Sequence, residues 1–150
     1  MYWLSDMRLK SKDFENGGNI PSEFTCDGKD VSPQLSWDEV PEETKSFALS
    51  LTDPDSPRGT FVHWLVCNIP GNVRSIERAN IPKEAIQVTN DFGKKDYGGP
   101  CPHTGTHRYY ITLNALNTER LEDVNKNNFF KKVGEHVLEK AELMGRYRRQ

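Results

Sequence analysis

Two stretches of this chain each carry a histidine behind a turn and at or near the start of an apolar strand. The first runs Asp53-Pro54-Asp55-Ser56-Pro57, then Phe61-Val62-His63-Trp64-Leu65-Val66-Cys67-Asn68-Ile69. The second runs Gly98-Gly99-Pro100-Cys101-Pro102-His103-Thr104-Gly105-Thr106-His107-Arg108-Tyr109-Tyr110. A side chain at a strand start is held rigidly and still faces a cleft at the sheet's end. Strand side chains alternate, so His107 and Tyr109 share one face, Arg108 takes the other, and Phe61 shares a face with His63. Two imidazoles and a phenol brought together are hydrogen-bond donors once the rings are protonated, and they suit an anion. Gly98-Gly99 lets backbone approach a ligand closely, and its N–H groups can line an anion-binding nest. Asp53 and Asp55 oppose a phosphate by charge, and two roles reconcile them. One accepts a proton from an imidazole nitrogen and fixes its tautomer; the other caps its own Asp-Pro-Asp-Ser-Pro turn. The residues leave open which does which.

Other chemistries fit these residues less well. Two histidines and a carboxylate resemble a facial-triad metal set. Yet His103 and His107 are separated by Thr-Gly-Thr after a proline, so helical chelation fails, and neither a metal nor another cofactor is expected. A hydrolytic triad of Ser56, His63 and Asp53 lacks the glycine elbow that exposes such a serine. The expected protein is therefore not an enzyme. His103 reads as a solvent-facing loop residue and His136 as structural or exposed. Arg146, Arg148 and Arg149 read as a solvated end of the chain, with anion steering as the alternative. Because no Lys or Arg cluster shares the histidines' face, attraction has to come from imidazolium. Phosphate affinity is then expected to fall as pH rises past about 6.5 to 8.

The chain has 150 residues, 35% hydrophobic and 28% charged, which fits one domain over residues 1–150 with a sizeable core. A net charge of −2 lacks the basic surplus of a general nucleic-acid binder. No apolar run approaches the roughly 20 residues that span a bilayer, so integral membrane insertion is not expected. The start, Met1-Tyr2-Trp3-Leu4-Ser5-Asp6, lacks the pattern of a signal peptide, which points to the cytoplasm. Cys26, Cys67 and Cys101 fit no zinc spacing. Cys67 reads as a buried small hydrophobe, and Cys26 and Cys101 as reduced thiols in loops.

The elements that must position the histidines are mostly strands. Residues 7–10 alternate weakly, as an edge strand does. Ser46 to Thr52 is a strand with Phe47, Leu49 and Leu51 on one face. Phe61 to Ile69 is apolar on both faces and so central and buried. A short strand fits residues 85–89, and a long alternating one fits Arg108 to Leu116. Phe130, Val133, Val137, Ala141 and Met144 recur at three- and four-residue spacing, which predicts helix over residues 126–143. Gly134 is expected to split it and Gly145 to stop it. The pattern is that of a sandwich or barrel with a helical end.

The Thr52-Asp53-Pro54-Asp55-Ser56-Pro57 motif, the Val62-His63-Trp64-Leu65-Val66-Cys67-Asn68 strand and the Gly98-Gly99-Pro100 to Gly105-Thr106-His107-Arg108-Tyr109-Tyr110 segment resemble the phosphatidylethanolamine-binding proteins, also called Raf kinase inhibitor proteins. Phe24-Thr25-Cys26-Asp27-Gly28, Ser32-Pro33-Gln34-Leu35-Ser36-Trp37 and the ending around His136 to Tyr147 resemble its bacterial and archaeal branch. The resemblance runs from about residue 7 to residue 149. It implies two antiparallel sheets, one large and one small, sandwich-like with Greek-key connections, and short peripheral helices near the C-terminus. It implies a shallow pocket for phosphate or a phosphoryl headgroup, made by Asp53, Asp55, His63, Gly99, Pro100, His107 and Tyr109. Animal members read Gly-Pro-Pro where this chain reads Gly99-Pro100-Cys101, and their long terminal helix has no counterpart after Tyr147. The expected function is a non-enzymatic binding protein for a phosphorylated ligand, with a kinase or signalling partner. The alternative is a serine protease inhibitor acting through a surface loop; a homodimer is compatible with either.

Overall fold

The structure is a computed structural model that describes residues 6–149. Residues 1–5, over which no signal peptide is expected, and residue 150 lie outside it. In chain order the strands are β1 (Arg8–Lys10), β2 (Leu35–Asp38), β3 (Ser46–Asp53), β4 (Phe61–Pro70), β5 (Ser75–Ile76), β6 (Ile86–Val88), β7 (His107–Leu116) and β8 (Val137–Tyr147). One short helix, α1 (Phe129–Gly134), precedes β8, and a 3-10 turn covers Ser22–Phe24.

All strand pairs are antiparallel. The small sheet has the order β1-β2-β5 and the large one β6-β4-β3-β7-β8. Alternation in β3 puts Phe47, Leu49 and Leu51 on the face that meets the small sheet, in one core with Leu9, Leu35 and Trp37. Ala48, Leu65 and Cys67 face the other way, against Phe129 and Val133 of α1. Both faces of the large sheet are therefore covered, which is why β4 is apolar on both sides. Among the described residues no helix is long and apolar enough to cross a membrane.

The helix expected over residues 126–143 is confined to α1, and residues 137–147 form the edge strand β8. Its backbone pairs with β7 from Leu116↔Val137 to His107↔Tyr147. Buried Ala141, Leu143, Gly145 and Tyr147 alternate with exposed Glu142 and Arg146. The same apolar residues satisfy a period of two as well as one near 3.6. The exposed edge of β7 decides between them, because it offers a ladder that a helix cannot use. Gly134, expected to split the helix in two, is the last residue of α1, and a strand rather than a second helix follows. Gly145 stops nothing: it lies within β8, where a Cβ would press on Ile20 and Phe14. Strand β5 escaped sequence reading because two residues carry no period.

Cys26 and Cys101, expected as thiols, form a disulfide across 75 residues with their Cα atoms 5.4 Å apart. Their loops are stitched side by side. Cys26 N–H donates to the Pro100 carbonyl at 3.1 Å, and the Tyr97 hydroxyl donates to the Phe24 carbonyl at 2.7 Å. Such proximity is tertiary and leaves no trace in cysteine spacing. Cys67 is the free cysteine; burial pushes its thiol up to about 11. Thiol titration of the chain unfolded without reductant is therefore expected to find Cys67 alone, and all 3 cysteines only after reduction. Three reactive thiols before reduction would contradict the bridge.

Candidate anion-binding site

β3, β4 and β7 end together, and the cleft lies across their ends. Asp53 pairs with Phe61, and Thr52 pairs with Tyr110. One further step in that register sets Asp53 opposite Tyr109, with His107 two residues on along the same face. His63 arrives differently. Leu51 pairs with Trp64 but Thr52 pairs with Val62, so His63 is the extra residue of a β-bulge. Bulges bend a strand and re-aim one side chain. Simple alternation brought His63 and Phe61 together on paper; in the structure the bulge aims His63.

Asp53, Ser56, Phe61, His63, His107 and Tyr109 line an open cleft of about 150 Å³, rimmed by Phe92, Cys101, Pro102 and His103. Asp53 is buried and serves both roles that the sequence divided between two residues. Its Oδ2 is 2.7 Å from His107 Nδ1, and its Oδ1 accepts the Asp55 N–H at 2.8 Å, closing the turn. Accepting from Nδ1–H fixes the His107 tautomer and leaves Nε2 to face a ligand. Carrying a proton on Nε2, the ring is the cation of an ion pair with Asp53.

His63 Nδ1 donates to the Gly98 carbonyl at 2.8 Å, so Nε2 is its remaining nitrogen too. The residue is only 4% exposed, and burial holds its pKa below the usual imidazole value despite the Gly98 carbonyl and Asp53. This corrects the expectation that both rings are imidazolium: His63 is neutral at neutral pH, and its Nε2 is an acceptor. Stability from the neutral ring is present above the unfolded value near 6.5 and is lost as pH falls through the lower folded value.

Tyr109 is 1% exposed, and among the described residues its hydroxyl makes no hydrogen bond of full geometry, although the Cys101 backbone and the Asp53 carboxylate lie beside it. Burial, with Asp53 beside it, raises its pKa far above the usual phenol value, so it remains a neutral donor. Buried hydroxyls are normally paired; this one borders the cleft. The His63 ring meets Phe61, Phe92 and Tyr109 edge-on at centroid distances of 4.9, 5.2 and 5.4 Å, walling one side.

Three expected ligand contacts lie elsewhere. Asp55 turns outward and holds Arg108 with two side-chain bonds, Nε at 2.9 Å and Nη2 at 2.7 Å, and a bond from its N–H at 2.8 Å. Those bonds hold the Asp55 carboxyl down at about 2. Gly99 and Pro100 are buried behind the rim. The nest expected of Gly98-Gly99 does not form, because Gly98 N–H goes to the His63 carbonyl at 3.2 Å and Gly99 N–H to Asp30 Oδ1 at 2.8 Å. Pro100 supports the rim through its carbonyl. Sequence reasoning missed Phe92, and nothing in its local pattern marks it. His103, expected in solvent, is exposed and also borders the cleft. Among the described residues no group of three or more His, Cys, Asp or Glu side chains is placed to share a metal ion.

Fold and cleft together define a two-sheet β protein that presents two imidazoles and a phenol at its strand ends. The model of the phosphatidylethanolamine-binding protein family matches residues 10–148, and the chain belongs to that family. A UPF0098 protein of Methanothermobacter thermautotrophicus is 42% identical over 95% of this chain and 99% of its own length. One from Aquifex aeolicus is 41% identical over 95% and 89%. Among solved structures, a Chlamydia trachomatis homologue of the phosphatidylethanolamine-binding proteins is similar with a TM-score of 0.90 at 34% identity, covering 98% of this chain and 100% of that one. Escherichia coli YbcL is similar with a TM-score of 0.91 at 29% identity, covering 97% and 99%.

Proposed function

We propose that the protein is a non-enzymatic binder of a phosphomonoester, carried on a small ligand or on a phosphorylated segment of a protein partner. The unpaired, buried Tyr109 hydroxyl carries this reading. Around it the cleft offers His107 Nε2 and His63 Nε2. A donor, an acceptor and one nitrogen able to be either match a phosphoryl group with one protonated oxygen. Neutral His63 takes that P–OH, while Tyr109 and protonated His107 donate to the ionised oxygens. Asp53 orients His107 and, with its oxygens engaged, repels the guest less than a free carboxylate would.

The bound set holds two protons more than dianionic ester and neutral rings, one on the phosphoryl oxygen and one on His107 Nε2. A phosphomonoester loses its second proton near pH 6, so binding above that value takes up a proton. Affinity for methyl phosphate is then expected to fall by at least about two orders of magnitude between about pH 6 and about pH 8.5, the ester proton alone accounting for that much. Calorimetry in buffers of different ionisation enthalpy reads the uptake directly. Equal affinity at both pH values, with no buffer dependence of the heat, would remove this reading.

A further inference from the structure

The start of β7 and the end of β8 hold an arrangement that the cleft does not use. Arg108 and Arg146 are directly opposite across the pair, and like charges so placed repel. Asp55 engages Arg108 bidentately. Among the described residues Arg146 has no ion-pair or hydrogen-bond partner for its side chain, and neither has Arg148, two residues on and also exposed. Arg149 differs, because Asp27 holds it at 3.1 Å. The two free guanidiniums leave from the sheet face opposite His107 and Tyr109, but they do so where the sheet stops. There Arg146 and Arg148 line one groove with Thr106 and Tyr147, beside the turn at 102–106. A second groove beside it is lined by Asp55, Thr106, His107, Arg108 and Arg146, and a third by Pro102, His103, Thr104, Arg148 and Arg149. His107, Pro102 and His103 also border the anion cleft. The grooves that hold Arg146 and Arg148 thus share lining residues with the cleft on both sides of the turn.

We infer that Arg146 and Arg148 form a second anion subsite that takes another anionic group of the ligand whose phosphoryl group occupies the cleft. The inference rests on the cleft being a phosphoryl site. It narrows the ligand class to a small molecule bearing two or more separated anionic groups. Arginine forks suit phosphate and carboxylate oxygens bidentately. Linking the second group to the first makes its binding intramolecular, so affinity rises without any change in the cleft.

The test is a calorimetric ladder of inorganic phosphate, pyrophosphate, tripolyphosphate and tetrapolyphosphate at constant ionic strength. Wild-type protein is compared with Arg146→Gln/Arg148→Gln and with Arg8→Gln/Lys10→Gln. The last variant removes equal charge at matched spacing from β1, in the small sheet. Wild type and the β1 variant are expected to gain at least about tenfold at one rung, which reports the span between subsites. Arg146→Gln/Arg148→Gln is expected to bind phosphate within about twofold of wild type and to lose that gain, since exposed charges act weakly at a distance. A gain that survives in Arg146→Gln/Arg148→Gln, or that is lost equally in the β1 variant, overturns the subsite. If phosphate fails to bind wild type while polyphosphate binding still requires Arg146 and Arg148, the cleft reading fails, and the two arginines are an anion site of their own rather than a second subsite of the cleft. If no rung binds, both fail. Sedimentation with phosphatidylcholine vesicles containing phosphatidic acid separates a lipid source from a free one: vesicle binding without any soluble gain overturns the small-ligand assignment.

Discussion

His107→Asn is expected to lower phosphate affinity by about 100-fold or more while leaving the fold intact; His107→Ala should cost both. The difference follows from the two nitrogens of one ring. Nδ1 serves Asp53, a residue 3% exposed whose carboxylate depends on that bond at 2.7 Å. Asparagine can offer its amide N–H to the same oxygen, so the carboxylate keeps a donor. Alanine leaves a buried charge short of a partner, a loss of about 3 kcal/mol or more. Nε2 serves the ligand, and neither substitute replaces it. Loss of a charge-assisted bond, with Asp53 then the nearest charge, supplies the drop in affinity. Denaturant unfolding and phosphate calorimetry on both variants separate the two roles. His107→Asn binding phosphate as wild type does would show that the cleft does not use this ring.

Gly99→Ala is expected to destabilise the protein by about 3 kcal/mol or more, and Gly98→Ala by about 1 kcal/mol or less. The contrast rests on what each new methyl would meet. At Gly99 it overlaps the Phe24 carbonyl oxygen and the Asp30 carboxylate, with Thr25 Cα at 3.0 Å. That wall is backbone, and the Cys26–Cys101 bridge and the Tyr97–Phe24 bond pin it against the glycine. At Gly98 the methyl overlaps the Phe92 ring. Phe92 is 42% exposed and can swing outward at little cost. Its departure opens the aromatic wall beside His63, so Gly98→Ala should alter ligand affinity more than stability. Denaturant midpoints measure the first claim and calorimetry the second. Equal destabilisation by the two variants would mean that the loops yield where the structure holds them together.

These effects sort the parts of the site by how far they could be read in advance. His107 and Tyr109 were legible because they sit two apart in an unbroken strand. His63 was found for a reason that holds only in part. Its place after a turn is local, but its aim comes from a bulge visible only against β3. Its charge state was misread because burial is a property of the neighbours, Phe61, Phe92 and Tyr109. The division of labour between Asp53 and Asp55 stayed open because it depends on His107 and Arg108, about 54 residues away. Gly99 was recognised as a site of close approach, but the approaching group is Phe24 backbone rather than a ligand.

Residue order alone settled the features that repeat within a few positions: strands β3, β4 and β7, and the pair His107 and Tyr109 on one face. Period-two alternation is a local steric property of extended chain, and it survives any choice of neighbour. Tertiary structure decided whatever depends on a partner in space. It made residues 137–147 a strand because β7 had a free edge, and it joined Cys26 to Cys101 because two loops met. It left His63 neutral because aromatic rings surround it, and it set Arg146 opposite Arg108 because β8 pairs in that register. Each of these is a free-energy difference between alternatives that the local sequence allows, and contacts from distant residues determine its sign.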